Sequence, residues 1–140
     1  MTPLKRKGDL AEMKVAADLI DRGCHVSIPF GEDCDYDLIA DRDGVLHRVQ
    51  VKYTQSEGRI ILVRCRSHSL TNGKVRSTKR YTARTVDWIA VYDRTSDRCY
   101  YLPSSELGAK GISGVTLRLA PAATDSASGF ATPATTLTPI

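Results

Sequence analysis

The sequence has few of the residues and patterns that mark several common protein classes. Its four cysteines form no Cys-x-x-Cys pair, and its three histidines are scattered. This spacing fits no zinc module. No apolar run approaches the ~18 residues of a membrane span, and no secretory leader is recognisable at the start. We therefore expect a cytoplasmic protein whose cysteines are reduced and mostly buried.

Length and composition are those of one globular domain. Hydrophobic residues make up 41% and charged residues 26% of the 140 positions, which is ordinary for a soluble protein. A chain of this size can bury a genuine core. We expect the folded domain to span residues 1–119. Residues 120–140 are rich in Ala, Thr, Pro and Ser, and we predict that this tail is disordered.

Acidic residues are absent from one long basic segment. Between positions 59 and 84 there are eight basic residues and no acidic one, whereas positions 32–43 hold six acidic residues against Arg42. Basic segments of this kind often contact nucleic-acid phosphates, although a solvated polar loop at 67–85 is the alternative. Including the basic start of the chain, the predicted nucleic-acid contacts are Lys5, Lys7, Arg64, Arg66, Lys74, Arg76, Lys79, Arg80, Tyr81 and Arg84.

Residues 35–53 have the pattern of a β-hairpin. Asp43-Gly44 separates two apolar–polar alternations. This dipeptide favours a type I′ turn, because both central residues of that turn need a positive φ. If these two residues form the turn, cross-strand partners have numbers that sum to 87. A slip by one residue would send every side chain to the opposite face, so the apolar pattern supports this register.

In this register, Gln50 faces Asp37 and Lys52 faces Asp35, and all four side chains share one polar face. The opposite face is the predicted core side and carries Tyr36, Leu38, Val49 and Val51. Carboxylates opposite a lysine can form an ordinary cross-strand ion pair, worth up to ~1 kcal/mol. They can also hold a divalent metal beside a cation that stabilises phosphate charge. The hairpin alone leaves both interpretations open.

An upstream helix supplies a further acid. Asp9 suits an N-cap with Glu12 three positions on, and Gly23 suits the C-terminal end. Helical periodicity gathers the apolar residues into one arc: Leu10, Met13, Val15, Ala16, Ala17, Leu19 and Ile20. Glu12 falls inside this arc, and a carboxylate directed at a core is costly unless it is paired or bound to a metal. The alternative is a first-turn acid that reaches solvent along the helix edge.

Short apolar runs predict the remaining strands, at His25–Phe30, Arg59–Arg66, Trp88–Tyr92, Cys99–Leu102 and Val115–Leu119. Within the second of these, the run Ile60-Ile61-Leu62-Val63 is predicted to form a further buried strand. Residues 67–85 are predicted to form a polar loop around Asn72-Gly73, with a helical turn near Lys79 to Arg84.

The order of these features resembles that of the PD-(D/E)XK nucleases. The resemblance rests on Lys7-Gly8-Asp9 through Glu12, Pro29-Phe30-Gly31, Tyr36-Asp37-Leu38-Ile39, Gln50-Val51-Lys52, and Val86-Asp87-Trp88 through Tyr92. It is similar to the branch associated with group I introns and, more loosely, to archaeal Holliday junction resolvases. Each motif is weak alone, but their order and spacing strengthen the match. The resemblance implies an α/β, restriction-endonuclease-like core, with the N-terminal helix packed on a central mixed β-sheet.

The resemblance also implies roles for individual residues. Asp37 would be the principal ligand of a Mg²⁺ ion, which Mn²⁺ could replace, and Glu12 would bind the ion directly or through water. The Val51 carbonyl would be a further ligand, and Lys52 would orient the attacking water or stabilise the charge that develops on the phosphate. The family usually has an acid where Gln50 stands. An amide oxygen can ligate a hard cation without adding negative charge, so weaker metal binding is expected.

The function implied is a metal-dependent DNA endonuclease, of the homing or the junction-resolving kind. Its expected partner is double-stranded or branched DNA, and symmetric cutting by so small a chain would require a homodimer or larger homo-oligomer. One alternative is a non-catalytic nucleic-acid-binding module of the same fold, with Gln50 as the mark of a decayed site. Another is an RNA-binding or scaffold domain that uses only the basic segment.

Overall fold

A computed structural model describes residues 2–31, 33–71, 74–108, 111, 114–119 and 130–131. A single α-helix precedes a series of strands in the described part. The elements are α1 (Pro3–Asp21), β1 (His25–Ser27), β2 (Leu38–Arg42), β3 (Val45–Thr54), β4 (Ile60–Arg64), β5 (Arg66–Thr71), β6 (Lys74–Arg80), β7 (Trp88–Asp93), β8 (Arg98–Pro103), a short 3-10 helix (Ser104–Leu107), β9 (Gly114–Leu119) and β10 (Phe130–Ala131).

The helix α1 begins earlier than the sequence predicts. Thr2 is the N-cap and its side chain accepts a hydrogen bond from the Lys5 N–H, while Pro3 takes the first helical position, where its missing N–H costs nothing. The predicted start at Asp9 is therefore wrong. The predicted end is confirmed, because Arg22 is the C-cap and Gly23 has a φ of +91°.

The apolar face of α1 is narrower than predicted. Only Ala11, Val15 and Leu19, which are spaced four residues apart, are buried among its residues. Met13 and Ile20, both predicted to face the core, are more than half exposed. Glu12 is partly buried on the flank of this stripe. The predicted inward placement of Glu12 therefore holds in part, because its side chain lies at the edge of the core.

The central sheet has five strands in the order β1-β2-β3-β7-β8. It is mixed, since β3 and β7 run parallel while every other neighbouring pair in it is antiparallel. The predicted hairpin is confirmed in turn type and register. Asp43 and Gly44 have φ angles of +52° and +83° and lie between the paired residues Arg42 and Val45, and Leu38 pairs with Val49.

Both faces of this sheet are covered. The helix packs on one face over Leu38, Val49, Val51 and alternate residues of β7 and β8. The other face meets a second sheet, ordered β10-β9-β4, in a core that includes Ile61, Val63, Ile89, Val91, Tyr100, Leu102 and Leu117. Gln50 and Lys52 pair with Ile89 and Val91, so they point into this second layer. Gln50 and Lys52 therefore share one face as predicted, but a second sheet covers that face, so it is not a purely polar one.

Two further expectations about packing are corrected. Tyr36 packs against the second core instead of sharing a face with Leu38, because the regular β2–β3 pairing ends at Leu38. The Asp35–Lys52 pairing is accordingly not part of the ladder. The run of β4 is not buried throughout: Ile61 and Val63 are buried, whereas Ile60 and Leu62 are exposed.

Residues 66–80 are not the predicted loop. Strands β5 and β6 pair antiparallel into a two-stranded ribbon, with an irregularity between Ser69 and Leu70. We call these two strands the basic ribbon. The predicted helical turn is present slightly later, where the Val86 N–H donates to the Thr82 carbonyl at 3.0 Å. The basic ribbon thus projects from Cys65 and returns at Tyr81, whose N–H donates to the Cys65 carbonyl at 3.2 Å.

The predicted disordered tail lies largely outside the described residues. Within 120–140 only Phe130–Ala131 is described, and it pairs in parallel with the end of β9. Disorder of this tail stays a prediction. In the described part of the chain, no helix combines the length and apolar character needed to cross a membrane.

A buried carboxylate joins the ends of the central strands. Asp93, at the end of β7, is 0% exposed. It accepts hydrogen bonds from the backbone N–H and hydroxyl of Ser56, both at 2.8 Å, from the backbone N–H and hydroxyl of Ser96 at 3.2 and 2.7 Å, and from the Thr95 N–H at 3.3 Å. Burial raises the pKa of Asp93, but these hydrogen bonds outweigh it and the net shift is downward.

We predict that Asp93→Ala lowers the free energy of unfolding by roughly 3 kcal/mol, because five donors lose their acceptor and the two of Ser56 are buried. Since the folded-state pKa of Asp93 lies below its unfolded value of about 3.9, its contribution is complete above that pH and is lost as the pH falls through the folded pKa. Urea unfolding at neutral pH and at about pH 3 should therefore show a smaller difference between variant and parent at the lower pH. An equal difference at both would contradict this.

Candidate active site

Asp37 lies where strands β2 and β3 stop pairing regularly. Its N–H donates to the Val49 carbonyl at 2.9 Å, which is out of step with the preceding ladder. Its carboxylate Oδ2 accepts the Val51 N–H, also at 2.9 Å. Beyond the last regular pair, the edge of β3 lacks the β2 backbone as a partner, and the Asp37 side chain takes that role. The carboxylate is thereby fixed against β3.

Val51 places a neutral carbonyl oxygen on the side of β3 where Asp37 lies, and the Gln50 side chain contacts that carbonyl. The N–H and C=O of a strand residue point to the same side, so the Val51 carbonyl points toward the edge where Asp37 sits. The Gln50 Nε2 donates a hydrogen bond to that carbonyl at 3.4 Å. The amide oxygen of Gln50 takes no part in this bond. Gln50 is 8% exposed. A charged residue here would be costly without a cation nearby.

Glu12 brings a second carboxylate to Asp37 from the flank of the helix. Burial raises the pKa of Glu12, and the negative charges of Asp37 and Asp9 raise it further, against the opposing effect of Lys5. Burial also raises the pKa of Asp37, against the Val51 hydrogen bond and the charge of Lys52. Because the pKa values of both carboxyls are raised, this position favours the binding of a positive charge.

The two carboxylates line one cleft of about 290 Å³. Its wall is completed by the segment between β1 and β2, through Ile28, Pro29, Gly31, Asp33, Cys34 and Tyr36. Phe30, next to Pro29, is fully exposed, and Ile28 is mostly so. Exposed apolar side chains at the mouth of a polar cleft offer a surface on which a large ligand could pack.

Lys52 approaches Asp37 from the opposite face of β3. Its positive charge lowers the pKa of Asp37 and also that of Cys65, which is otherwise raised by burial. The Lys52 Nζ lies 4.8 Å from the centroid of the Tyr81 ring. The structure thus brings Glu12, Asp37, Gln50, Val51 and Lys52 to one end of β3.

The donor set fits a divalent hard cation. Two carboxylates, an amide oxygen and a backbone carbonyl are all oxygen donors, and Mg²⁺ is commonly held by one or two carboxylates while it keeps several waters. The mutual repulsion of Glu12 and Asp37 is what a cation would relieve. The described residues contain no group of three or more His, Cys, Asp or Glu side chains that could hold a metal. A cation here would be held by the two carboxylates together with neutral oxygens of the protein or of water.

Comparison with known proteins identifies the family of the chain. The model of one protein family, described as PD-(D/E)XK endonuclease, matches residues 2–134. The chain belongs to the PD-(D/E)XK endonuclease family. The resemblance inferred from its motifs is confirmed, and its family places the protein among the nucleases.

A solved structure shares the fold. It is described as the structure of a bacterial homing endonuclease, I-Ssp6803I, and the match has a TM-score of 0.73 at 24% identity. The match covers 93% of this chain and 89% of that one. No curated protein sequence matches the chain. The predicted α/β, restriction-endonuclease-like architecture, with an N-terminal helix on a mixed sheet, is confirmed.

The predicted nucleic-acid contacts fall into three groups. Lys5, Lys7, Arg64, Arg80 and Arg84 are exposed, as a phosphate contact requires. The side chains of Arg66, Lys74, Arg76 and Lys79 lie outside the described part of the structure, although their backbone forms the basic ribbon. Tyr81 is 4% exposed, so its ring offers little surface for a direct contact, and its role in nucleic-acid binding stays a prediction.

Arg48, which no local sequence pattern singles out, joins β3 to the turn before β7. The guanidinium of Arg48 donates to both carboxylate oxygens of Asp87 at 3.1 Å and to the carbonyls of Ala83 and Arg84 at 3.1 and 2.7 Å. The Arg48 N–H adds a 2.7 Å bond to Asp87. Such bidentate, charge-assisted contacts are strong. They hold the turn before β7 against β3. The partners are 39 positions apart, and nothing in the local sequence pairs them.

We predict that Asp37→Asn raises the thermal midpoint by a few degrees without metal. Asparagine keeps an acceptor for the Val51 N–H and removes the repulsion with Glu12. The sign follows from the raised pKa values of both acids: the folded state binds their protons more tightly than the unfolded state, so stability is lost as the pH rises through the acid range. Thermal melts at neutral pH with chelator test this.

Mn²⁺ should raise the midpoint of the parent protein but not that of Asp37→Asn, because the variant lacks a charged ligand. Asp43→Asn is the matched control: it removes one negative charge from the same hairpin at its far end, and asparagine also tolerates a positive φ. A lower midpoint for Asp37→Asn in chelator would show that repulsion does not dominate there. An undiminished Mn²⁺ shift would remove Asp37 from the set of ligands.

Proposed function

We propose that the protein is a Mg²⁺-dependent endonuclease that cuts double-stranded DNA and accepts Mn²⁺ in place of Mg²⁺. The observation that carries this proposal is that two carboxylates line one cleft, Glu12 from the helix and Asp37 from the residue before β2. The charge of Lys52 acts on Asp37 from the other face of β3. Carboxylates beside a lysine at a strand end suit phosphodiester hydrolysis, in which negative charge accumulates on the phosphate.

The cation would be held by Asp37 and Glu12, with the Gln50 amide oxygen and the Val51 carbonyl as neutral ligands. When bound, it would polarise the phosphate and lower the pKa of a water ligand toward neutrality. Asp37 keeps one oxygen on the Val51 N–H, which orients the other toward the cleft. Since Gln50 adds no charge, the site should bind metal less tightly than one with three carboxylates.

Lys52 would supply a fixed positive charge to the phosphate. An ammonium near the reacting phosphate can stabilise oxygens that gain charge in the transition state, and it can also orient the attacking water. Its position behind Asp37, on the face covered by the second core, limits its hydration. Electrostatic stabilisation is worth more in a place from which water is partly excluded.

The substrate proposed is intact duplex DNA, in line with a structural neighbour described as a homing endonuclease. The exposed arginines at the base of the basic ribbon would contact phosphates on either side of the scissile bond. Because we find one candidate site in the described part of the chain, cutting both strands symmetrically would take two copies, and we propose a homodimer or larger homo-oligomer. We place the activity in the cytoplasm, where the four cysteines, which form no disulfide, would stay reduced.

We predict Mg²⁺-dependent cleavage of duplex DNA that is suppressed by chelator and slowed about 10²–10³-fold by Lys52→Ala. Linear, supercoiled and four-way-junction DNA should be incubated with the parent protein, and single-turnover rates compared with those of the variant. Metal and DNA affinities of Lys52→Ala should stay near those of the parent. Cleavage confined to the junction would favour a resolvase. Absence of cleavage with retained DNA binding would favour the non-catalytic alternative.

We also predict that the double variant Arg80→Ala, Arg84→Ala weakens DNA binding on all sequences. The slope of log affinity against log salt should become shallower by up to about 0.9 for each phosphate that is no longer neutralised. The matched control is Arg94→Ala, Arg98→Ala, which removes two exposed arginines, one from the β7–β8 connection and one from the first position of β8. An unchanged slope in the first variant would place the DNA elsewhere, with the helix start at Lys5 and Lys7 as the next surface to test.

A further inference from the structure

The ammonium of Lys52 rests on an aromatic ring. Its Nζ lies 4.8 Å from the centroid of Tyr81, within the distance at which a cation is attracted by the negative face of a ring. Tyr81 is 4% exposed. The attraction is stronger where both groups are shielded from water. Among the described residues, no salt bridge to a carboxylate holds this ammonium, so the ring is the contact that defines where it sits.

The ring is itself held from several sides. Tyr81 belongs to the second core, together with Cys65, Val86 and Leu107. Its N–H donates to the Cys65 carbonyl at 3.2 Å, at the point where the basic ribbon joins the body of the protein. The turn that follows is fixed by the contacts of Arg48 with the carbonyls of Ala83 and Arg84. The ring is therefore a rigid support for a flexible lysine side chain.

We propose that Tyr81 is a positioning residue of the nuclease: the face of its ring holds the Lys52 ammonium at the strand end, directed toward Asp37. This inference rests on the function proposed above. A lysine carries its charge on a flexible four-carbon stem, and a charge that stabilises a transition state must be in place before the reaction. Removal of the ring would leave Lys52 present but spread over several rotamers, and the chemical step would slow.

The inference assigns the effect to the face of the ring and not to the hydroxyl. Tyr81→Phe should therefore cleave at nearly the parental rate. Tyr81→Leu keeps an apolar side chain in the core and removes the ring, and its single-turnover rate should fall on the order of tenfold. Metal affinity and DNA affinity should change little in either variant. The loss of the ring should thus lower the cleavage rate at saturating DNA and leave unchanged how that rate depends on DNA concentration.

A fluorinated series separates electrostatics from shape. Phenylalanine and its monofluoro, difluoro and trifluoro analogues, incorporated at position 81, have closely similar volumes, while fluorine progressively weakens the negative potential of the ring face. If the ring holds Lys52 by this potential, the single-turnover rate should fall stepwise along the series. A residue that only fills the core would give the same rate with all four rings. Equal rates across the series would overturn the inference.

The control for core damage is Tyr100→Leu, because Tyr100 is similarly buried in the same core and, within the described part of the chain, no cation lies over its ring. It should lower the thermal midpoint as Tyr81→Leu does but leave the cleavage rate near parental. Equal decreases in rate in both variants would assign the effect to the core. An active parent whose Tyr81→Leu variant cleaves just as fast overturns this inference alone, whereas an inactive parent overturns the proposed function and this inference with it.

Discussion

The hydrogen bond from the Val51 N–H to the Asp37 carboxylate is the contact on which the geometry of the site depends. It takes the place of a backbone hydrogen bond where β2 stops pairing with β3. The carboxylate of Asp37 is thereby held in a fixed position at the end of the paired region. Glu12 reaches the same place because α1 packs its Ala11–Val15–Leu19 stripe over this part of the sheet. The site therefore needs no dedicated loop: its residues are held by the elements that build the core.

Burial of β3 on both faces has opposing effects on the site. It restricts the side chains of Gln50 and Lys52, which favours a preorganised arrangement of charge. It also desolvates Asp37 and raises its pKa, and the charge of Asp37 adds to the burial that raises the pKa of Glu12, whereas the proposed metal site would need both carboxyls in charged form. In the function proposed here, stability would be given up locally for chemistry, and the surrounding structure would compensate. The hydrogen-bonded Asp93 and the Arg48–Asp87 pair, where the pKa of each acid is lowered, belong to that compensation.

The sequence was sufficient for features governed by local rules. The turn at Asp43-Gly44 and the register that follows, the helix end at Gly23, and strands β7 to β9 could be predicted because turn chemistry and alternation determine them. The early helix start at Thr2-Pro3 also had a signal, but the pattern of Asp9 and Glu12 competed with it. The alternation of apolar and polar residues does not show which element covers a strand face. It correctly assigned Gln50 and Lys52 to one face, but it did not indicate that a second sheet packs on that face. The pairing of Arg48 with Asp87 and the stacking of Lys52 on Tyr81 are likewise long-range and leave no local trace.

The distribution of thiols has a practical consequence. Cys24, Cys65 and Cys99 are buried, and Cys34 alone among the four is exposed, on the wall of the cleft that Glu12 and Asp37 share. A thiol-reactive fluorophore would therefore attach at a single position, beside the site, with no engineering of the chain. Its emission would respond when a cation or a nucleic acid binds, so binding could be followed by fluorescence in a protein that carries no substitution.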